Sequence, residues 1–153
     1  MPDESDREPE SVEEVLAFIA ENPCDKELYQ RLGGLYLKER ELSKAWDAYM
    51  AALRLDPDDP FTCLYFANLL RIFDKERAMK LYRRARKLAP ELAVVHWCIA
   101  ELYRSRGDYY RAGKAYNQAV KVEPDCEMSR GKLEEWRTFV AERERADVGT
   151  AEG

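Results

Sequence analysis

Few side chains in this sequence combine the types and the spacing that chemistry requires. His96 is the only histidine, and Cys98 follows it two positions later. Imidazole is a common general base and a common metal ligand. Residues two apart on a helix point to different sides, so this pair does not predict a metal site. No pair of carboxylates stands out either, and we predict neither catalysis nor a cofactor.

The segment from Gly107 to Ala115 superficially resembles a phosphate-binding loop. That motif requires four residues between its glycines and a Ser or Thr after its lysine. Here five residues separate Gly107 from Gly113, and Ala115 follows Lys114. The spacing therefore excludes a nucleotide site of this kind.

The four cysteines show neither a zinc pattern nor a redox pattern. Cys24, Cys63, Cys98 and Cys126 include no C-x-x-C pair. Such isolated cysteines usually act as small apolar residues, and they fit a reducing compartment.

The bulk composition narrows the class of protein. The chain has 153 residues, 46% of them hydrophobic and 36% charged, and a formal net charge of -5. This acidic balance gives no global attraction to nucleic acid or to an anionic membrane. No apolar run reaches the roughly 20 residues of a membrane span, and the acidic beginning is unlike a secretory signal. We therefore expect a cytoplasmic protein.

A repeat becomes visible through the prolines. Pro23, Pro57, Pro90 and Pro124 recur at nearly constant intervals, and each would stop a helix. Three periods then align as Tyr29-x2-Leu32-Gly33-x2-Tyr36…Ala45-x3-Tyr49-x2-Ala52, Cys63-x2-Phe66-Ala67-x2-Leu70…Ala78-x3-Tyr82-x2-Ala85 and His96-x2-Ile99-Ala100-x2-Tyr103…Ala112-x3-Tyr116-x2-Ala119. Each period contains two apolar stretches at helical spacing, separated by a polar turn. His96 takes the place of a packing residue in this register, so we predict a packing role for it.

These residues resemble the tetratricopeptide repeat, whose signature is W-x2-L-G-x2-Y…A-x3-F…P over about 34 residues. The leading Trp is replaced here by Tyr29, Cys63 and His96, and Ala67 and Ala100 stand in place of the glycine in the second and third periods. The resemblance implies an all-α fold, a right-handed α-solenoid of three helix hairpins. We assign the repeats to residues 26–59, 60–92 and 93–126.

Further helices are predicted on either side of the repeats. Ser11 to Glu14 reads as a capping box, and an amphipathic stripe follows it, so residues 11–22 are predicted to form an N-terminal half-repeat helix. Residues 127–145 are predicted to form a C-terminal capping helix. Residues 1–10, an acidic tail, and residues 146–153 are predicted to be disordered.

The resemblance implies that the first helix of each hairpin lines a concave groove that binds a partner protein or peptide. The face beside the packing stripe contains apolar residues and Arg, types that dominate binding energy. Phe61 and Trp97 have an alternative role, in which they only pack between repeats or under the C-terminal helix. The predicted groove residues are Glu27, Gln30, Leu37, Lys38, Phe61, Leu64, Asn68, Arg71, Val94, Trp97, Glu101 and Arg104.

Some tetratricopeptide domains clamp the terminal carboxylate of heat-shock chaperones with Lys and Asn. The matching positions here are Gln30, Gly34, Tyr65, Val94 and Cys98, which lack that charge and amide geometry. We therefore expect an apolar or mixed segment as the ligand, bound at roughly micromolar strength.

A second candidate surface is the basic second helix of the middle repeat. Its basic residues should face outward, as a solvated face or as a site for an acidic partner, RNA or the protein's own tail. This predicted basic convex patch comprises Lys80, Arg83, Arg84, Arg86 and Lys87.

Several functions remain open from the sequence. The leading hypothesis is an adaptor or assembly factor that uses its groove. Alternatives are a small secretion-type chaperone, suggested by architecture alone, and binding of nucleic acid or an acidic partner through helix 75–87, with nucleic acid disfavoured. Self-assembly through Trp136, Phe139 and Val140 would make a homo-oligomer.

Overall fold

The computed structural model describes residues 11–151, with side chains described to residue 146. All regular structure in this range is helical, and it contains no strand, which confirms the predicted all-α class. The helices are α1 (Val12–Glu21), α2 (Lys26–Lys38), α3 (Leu42–Leu55), α4 (Pro60–Leu70), α5 (Lys75–Leu88), α6 (Ala93–Ser105), α7 (Tyr109–Val122) and α8 (Glu127–Ala151).

The ends of the helices follow local chemistry. Ser11 accepts a hydrogen bond from the Glu14 amide while the Glu14 side chain accepts one from the Ser11 amide, which confirms the capping box. Each of the four repeating prolines lies two residues beyond the end of α1, α3, α5 or α7, where its missing N–H breaks no helical hydrogen bond. Proline and caps together set where these helices stop and start.

The described residues divide into two compact units at Leu81 and Tyr82, within α5. In unit 1, α2 packs against α1, α3 and α4. A small core of Val15, Leu32 and Ala48 joins the first three helices. At the α3–α4 contact, the ring of Phe66 meets Trp46 edge-on at 4.9 Å. Helices α2 and α3 thus form an antiparallel hairpin of the predicted kind.

In unit 2, α6 and α7 form a second hairpin, and α8 packs on both. The core around Ala100 and Ala112 includes Tyr116 of α7 together with Leu133 and Trp136 of α8. The stacked rings of Tyr116 and Trp136 have centroids 5.7 Å apart. Helix α8 therefore contributes to the core of this unit.

Helix α8 is longer than the sequence predicted. It extends to Ala151, whereas we expected residues 127–145 to be helical and residues 146–153 to be disordered. Residues 146–148 include neither Gly nor Pro, so nothing in the chain stops the helix at residue 145. The predicted tail at 1–10 and residues 152–153 lie outside the described residues.

Candidate functional site

A polar network in unit 1 joins the start of α2 to the start of α4. Lys26 Nζ lies 2.6 Å from Asp56 Oδ2 and 2.8 Å from Asp59 Oδ1. Gln30 Nε2 donates to Asp59 Oδ2 at 2.8 Å and to Thr62 Oγ1 at 2.7 Å. Asp59 also caps α4, because the Thr62 amide donates to it at 2.6 Å. The network fixes one edge of the α2 face on which we predicted groove residues.

The charges in this network shift one another's pKa. Burial alone would raise the pKa of Asp59, but hydrogen bonds from Lys26 and Thr62 outweigh it and lower the pKa below its usual value. The pKa of Lys26 is raised by its hydrogen bonds to Asp56 and then Asp59. Lys26 and Asp59 are therefore both charged at neutral pH.

Beside this network, residues of α2, α3 and α4 line a cavity of about 500 Å³ that is open to solvent. Tyr49 lines it from α3 and is 3% exposed, yet its hydroxyl makes no hydrogen bond to any described residue. Burial raises the pKa of Tyr49 to about 12, so the hydroxyl stays protonated and can donate. The cavity is lined by Asp25, Glu27, Leu28, Gln30, Arg31, Gly34, Tyr49 and Tyr65.

Two adjacent glycines in α2 make room for this ring. A Cβ at Gly33 would lie 2.6 Å from Tyr49 Cε1, which no packed structure allows. A Cβ at Gly34 would lie 3.9 Å from the Tyr49 hydroxyl, an ordinary contact. Gly33 therefore lets the ring lie directly against α2, and Gly34 leaves the hydroxyl facing open space.

The structure brings part of the predicted α2 and α4 face to this cavity. Glu27 and Gln30 line it, whereas Leu37 is half-buried and Lys38 exposed toward the end of α2. Sequence reasoning assigned Tyr49 only to packing. The pair Gly33–Gly34 is the signal that could have shown how closely its ring approaches.

On α4, the predicted groove residues differ in their availability. Phe61 is 44% exposed, and its ring centroid lies 6.5 Å from that of Tyr65, which lines the cavity. Asn68 is half-buried and Arg71 is exposed. Leu64 is only 3% exposed, so our prediction that it faces a partner is wrong. Its position on a strongly apolar helix, buried on more than one side, explains the error.

On α6, the predicted face is largely engaged with α7 and α8. Trp97 packs against the core to which α8 contributes, the alternative that the sequence left open. Glu101 accepts a hydrogen bond from Tyr116 at 2.6 Å and pairs with Arg104 at 3.3 Å. The Arg104 guanidinium lies 5.8 Å from the centroid of Phe139. Trp97 and Glu101 are therefore mainly engaged within unit 2, whereas the Arg104 side chain is 38% exposed and its role in partner binding stays a prediction.

Val94, the remaining predicted α6 residue, is half-buried. The predicted basic patch is solvent-exposed at every position, although Arg83 also donates to the Tyr103 hydroxyl at 3.4 Å. Whether these residues bind a partner stays a prediction.

The residues predicted for self-assembly contribute to the core of unit 2. Trp136 is 7% exposed, and Phe139 and Val140 pack against the same intrachain core. Trp136 and Val140 also line an open cavity of about 550 Å³, and self-assembly through α8 stays a prediction.

The other candidate groups have structural surroundings. His96 is buried, and its Nε2 lies 2.8 Å from the Pro90 carbonyl oxygen, to which it donates. None of the four cysteines forms a disulfide in the part of the chain that the structure describes. Within residues 11–146, no cluster of His, Cys, Asp and Glu could hold a metal ion. None of the described helices combines the length and apolarity of a membrane span.

Comparison with known families and structures agrees with this fold. The sequence profile of the tetratricopeptide repeat matches residues 26–59 and 96–126. The structure superposes on crystallised MamA with a TM-score of 0.67 and 16% identity, covering 93% of this chain and 90% of the other. For the Sgt2 TPR domain from Aspergillus fumigatus, the TM-score is 0.69 at 21% identity, with 78% and 82% covered. These likenesses show the fold alone.

The chain is also similar to a solved structure with a bound peptide and to part of an enzyme. The first TPR of Spaghetti (RPAP3), bound to the HSP90 peptide SRMEEVD, has a TM-score of 0.66 at 18% identity, with 76% of this chain and 93% of the other covered. The Protein O-mannosyl-transferase TMTC1 of Homo sapiens is 32% identical over 123 residues, and that of Mus musculus is 30% identical. This chain spans only 14% of the length of the human protein.

Proposed function

We propose that this chain, a member of the tetratricopeptide repeat family, is a non-catalytic adaptor or assembly factor that binds a segment of another protein. The observation that carries the proposal is the cavity in unit 1 with the unpaired Tyr49 hydroxyl. The hydroxyl faces the open cavity, so a ligand with an acceptor oxygen can accept a hydrogen bond from it.

The chemistry of the cavity suggests how the segment binds. The Tyr49 hydroxyl donates to a main-chain carbonyl of the ligand, because its high pKa keeps the proton in place. Phe61 and Tyr65, 44% and 39% exposed, provide an apolar rim for a neighbouring side chain. This combination fits the mixed or apolar ligand that we predicted, with an affinity on the order of micromolar.

The fold neighbours support the general mode of binding. RPAP3 holds a peptide of HSP90 on the same fold. Gln30, Gly34 and Tyr65 bring no lysine to the cavity, so we do not propose a chaperone tail as the ligand.

We propose no transferase activity for this chain. Its similarity to the mannosyl-transferase covers 76% of this chain but only 14% of the enzyme. We further propose a reducing compartment such as the cytoplasm, because the four cysteines form no disulfide among the described residues.

The test begins with selection of binders from a displayed random-peptide library on the immobilised chain. Fluorescence anisotropy then measures the affinity of a selected peptide for the wild-type chain and its variants. Phe61→Ala and Tyr49→Phe should each weaken binding about tenfold. The matched controls Ile72→Ala, exposed away from the cavity lining, and Tyr110→Phe, in unit 2, should leave it unchanged.

Circular dichroism on each variant separates a lost contact from a lost fold. If Phe61→Ala and Tyr49→Phe keep the wild-type helicity and the wild-type affinity, this cavity is not the partner site.

A further inference from the structure

A second cavity, of about 380 Å³, lies in unit 2 between the last turns of α5 and the helices α6 and α7. It has a different chemistry from the first, because three cationic side chains line it and no carboxylate does. Its lining residues are Arg86, His96, Ile99, Tyr103, Arg111, Lys114, Ala115 and Gln118.

Tyr103, which lines this cavity, contacts two arginines. Its hydroxyl accepts a hydrogen bond from Arg83 Nη2 at 3.4 Å, and the Arg111 guanidinium lies 5.9 Å from its ring centroid. Arg83 and Arg111 come from α5 and α7, so one tyrosine on α6 brings cations from two other helices together. Of these two arginines, Arg111 lines the cavity and Arg83 lies outside its lining.

Little negative charge offsets these cations. Asp108 pairs with Arg111 Nη1 at 3.0 Å, and it also accepts a hydrogen bond from the Arg111 amide as the cap of α7. Arg86 and Lys114 make no ion pair with any residue that the structure describes, although Lys114 lies 4.4 Å above the ring of Tyr110. The cavity thus has a positive potential that a bound anion would neutralise.

The wall of the cavity is rigid. His96 is 6% exposed and anchored through Nε2 to the Pro90 carbonyl oxygen, and Ile99 beside it is 2% exposed. The buried wall keeps its shape before a ligand arrives, whereas the exposed side chains of Arg86, Arg111 and Lys114 must be ordered by the ligand.

We propose that this cavity binds a phosphorylated side chain of a partner protein. A phosphoryl group has close to two negative charges and three strong acceptor oxygens, which match several converging cations better than one carboxylate does. This site lies in unit 2 and goes beyond the adaptor function proposed for the cavity of unit 1.

The aromatic residues argue for a protein ligand rather than RNA. Single-stranded nucleic acid binds by stacking its bases on open aromatic faces. Here Arg111 lies over Tyr103 and Lys114 lies over Tyr110, so both rings already have a cation against a face.

The test uses His96 as a reporter, because it is the only histidine and lies in the wall. Proton–carbon NMR of its ring follows a titration with N-acetyl-phosphoserine amide at constant pH and ionic strength. N-acetyl-serine amide and N-acetyl-glutamate amide are the comparison probes. We expect a saturable shift with a dissociation constant on the order of millimolar for the phosphorylated probe and at least about fivefold weaker binding for the others.

Matched charge variants locate the site. Arg86→Gln and Lys114→Gln should each weaken the phosphorylated probe about fivefold or more, as charge-assisted bonds are lost. Lys87→Gln, which removes the same charge from α5 outside the cavity lining, should change affinity less than about twofold. Far-UV circular dichroism confirms that the folds match.

Three results would overturn the proposal. One is the absence of a saturable His96 shift. Another is equal binding of the glutamate probe, or an equal loss with Lys87→Gln, which would indicate diffuse surface charge. A third is a single-stranded oligonucleotide that shifts His96 at lower concentration than the phosphorylated probe.

Discussion

Removing the Lys26 amine tests the polar network that joins α2 to α4. In Lys26→Met the aliphatic stem remains, but Asp59 keeps its buried charge without its cation. The side chain of Asp59 is only 7% exposed, whereas those of Lys26 and Asp56 are 30% and 41% exposed. The loss should therefore come mainly from Asp59.

The magnitude follows from these exposures. A hydrogen bond between charged groups contributes about 1.5–3 kcal/mol when buried, but an exposed ion pair contributes only about 0–1 kcal/mol. We take the lower end of the first range for Asp59 and a few tenths for Asp56, because water reaches Lys26. Lys26→Met should destabilise the fold by about 2 kcal/mol at neutral pH. Lys44→Met, whose partner Glu41 lies 3.6 Å away and is 47% exposed, should cost less than about 0.5 kcal/mol.

The effect should depend on pH in a defined direction. The pKa of Asp59 is lowered in the folded chain, so its stabilising contribution is present above the unfolded value of 3.8 and disappears as pH falls through the folded value. Without Lys26, burial raises that pKa instead. The difference between wild type and Lys26→Met should therefore shrink as the solution is acidified below about pH 4.

Urea unfolding followed by far-UV circular dichroism measures both predictions. A double-mutant cycle with Asp59→Asn adds a sharper test. Asparagine also caps helices, so this change should destabilise the wild type but partly rescue Lys26→Met. A cost at neutral pH no larger than that of Lys44→Met, or a cost that grows on acidification, would refute the reasoning.

Three other predictions follow from close contacts and burial. Gly33→Ala should lower stability by about 1–3 kcal/mol, because its Cβ would lie 2.6 Å from the Tyr49 ring. Gly34→Ala should raise stability by up to about 1 kcal/mol, because its Cβ would make only an ordinary contact and alanine favours the helix. Differential scanning calorimetry compares the two variants, and equal effects would contradict this packing. Ser129→Ala should stabilise the chain by about 1 kcal/mol in the same assay, because its buried hydroxyl has no partner among the described residues, and a loss would indicate an unseen hydrogen bond. In an alkaline absorbance titration Tyr49 and Tyr116 should ionise later than a free tyrosine, since burial raises the pKa of Tyr49 to about 12 and burial with the bond to Glu101 raises that of Tyr116. Both pKa values lie above the unfolded value, so stability should fall as pH rises beyond about 10. Ionisation of both groups at about pH 10 would refute the burial.

Much of the fold could be predicted from local signals. The prolines at 23, 57, 90 and 124 mark the ends of four helices because a missing N–H acts on its own turn. The capping box at Ser11 forms for the same local reason. The end of α8 was missed, because no residue near 145 provides a stop signal.

The candidate site could be predicted only in part. Helical periodicity placed Glu27 and Gln30 on one face of α2, and both line the cavity. Periodicity also placed Trp97 and Arg104 on the equivalent face of α6. There Trp97 packs against the core that includes residues of α8, and the Arg104 guanidinium lies against the ring of Phe139. Which of two equivalent faces stays open depends on a helix distant in sequence.

The sequence by itself determined the repeated helix hairpins, since spacing and helix-stopping residues act over a few positions along the chain. Only the tertiary structure decided that the Tyr49 side chain lines one cavity and that Tyr103 and Arg111 line a second cavity together. Each arrangement depends on side chains from separate helices meeting at distances of a few ångströms, and no pattern within one helix specifies that meeting.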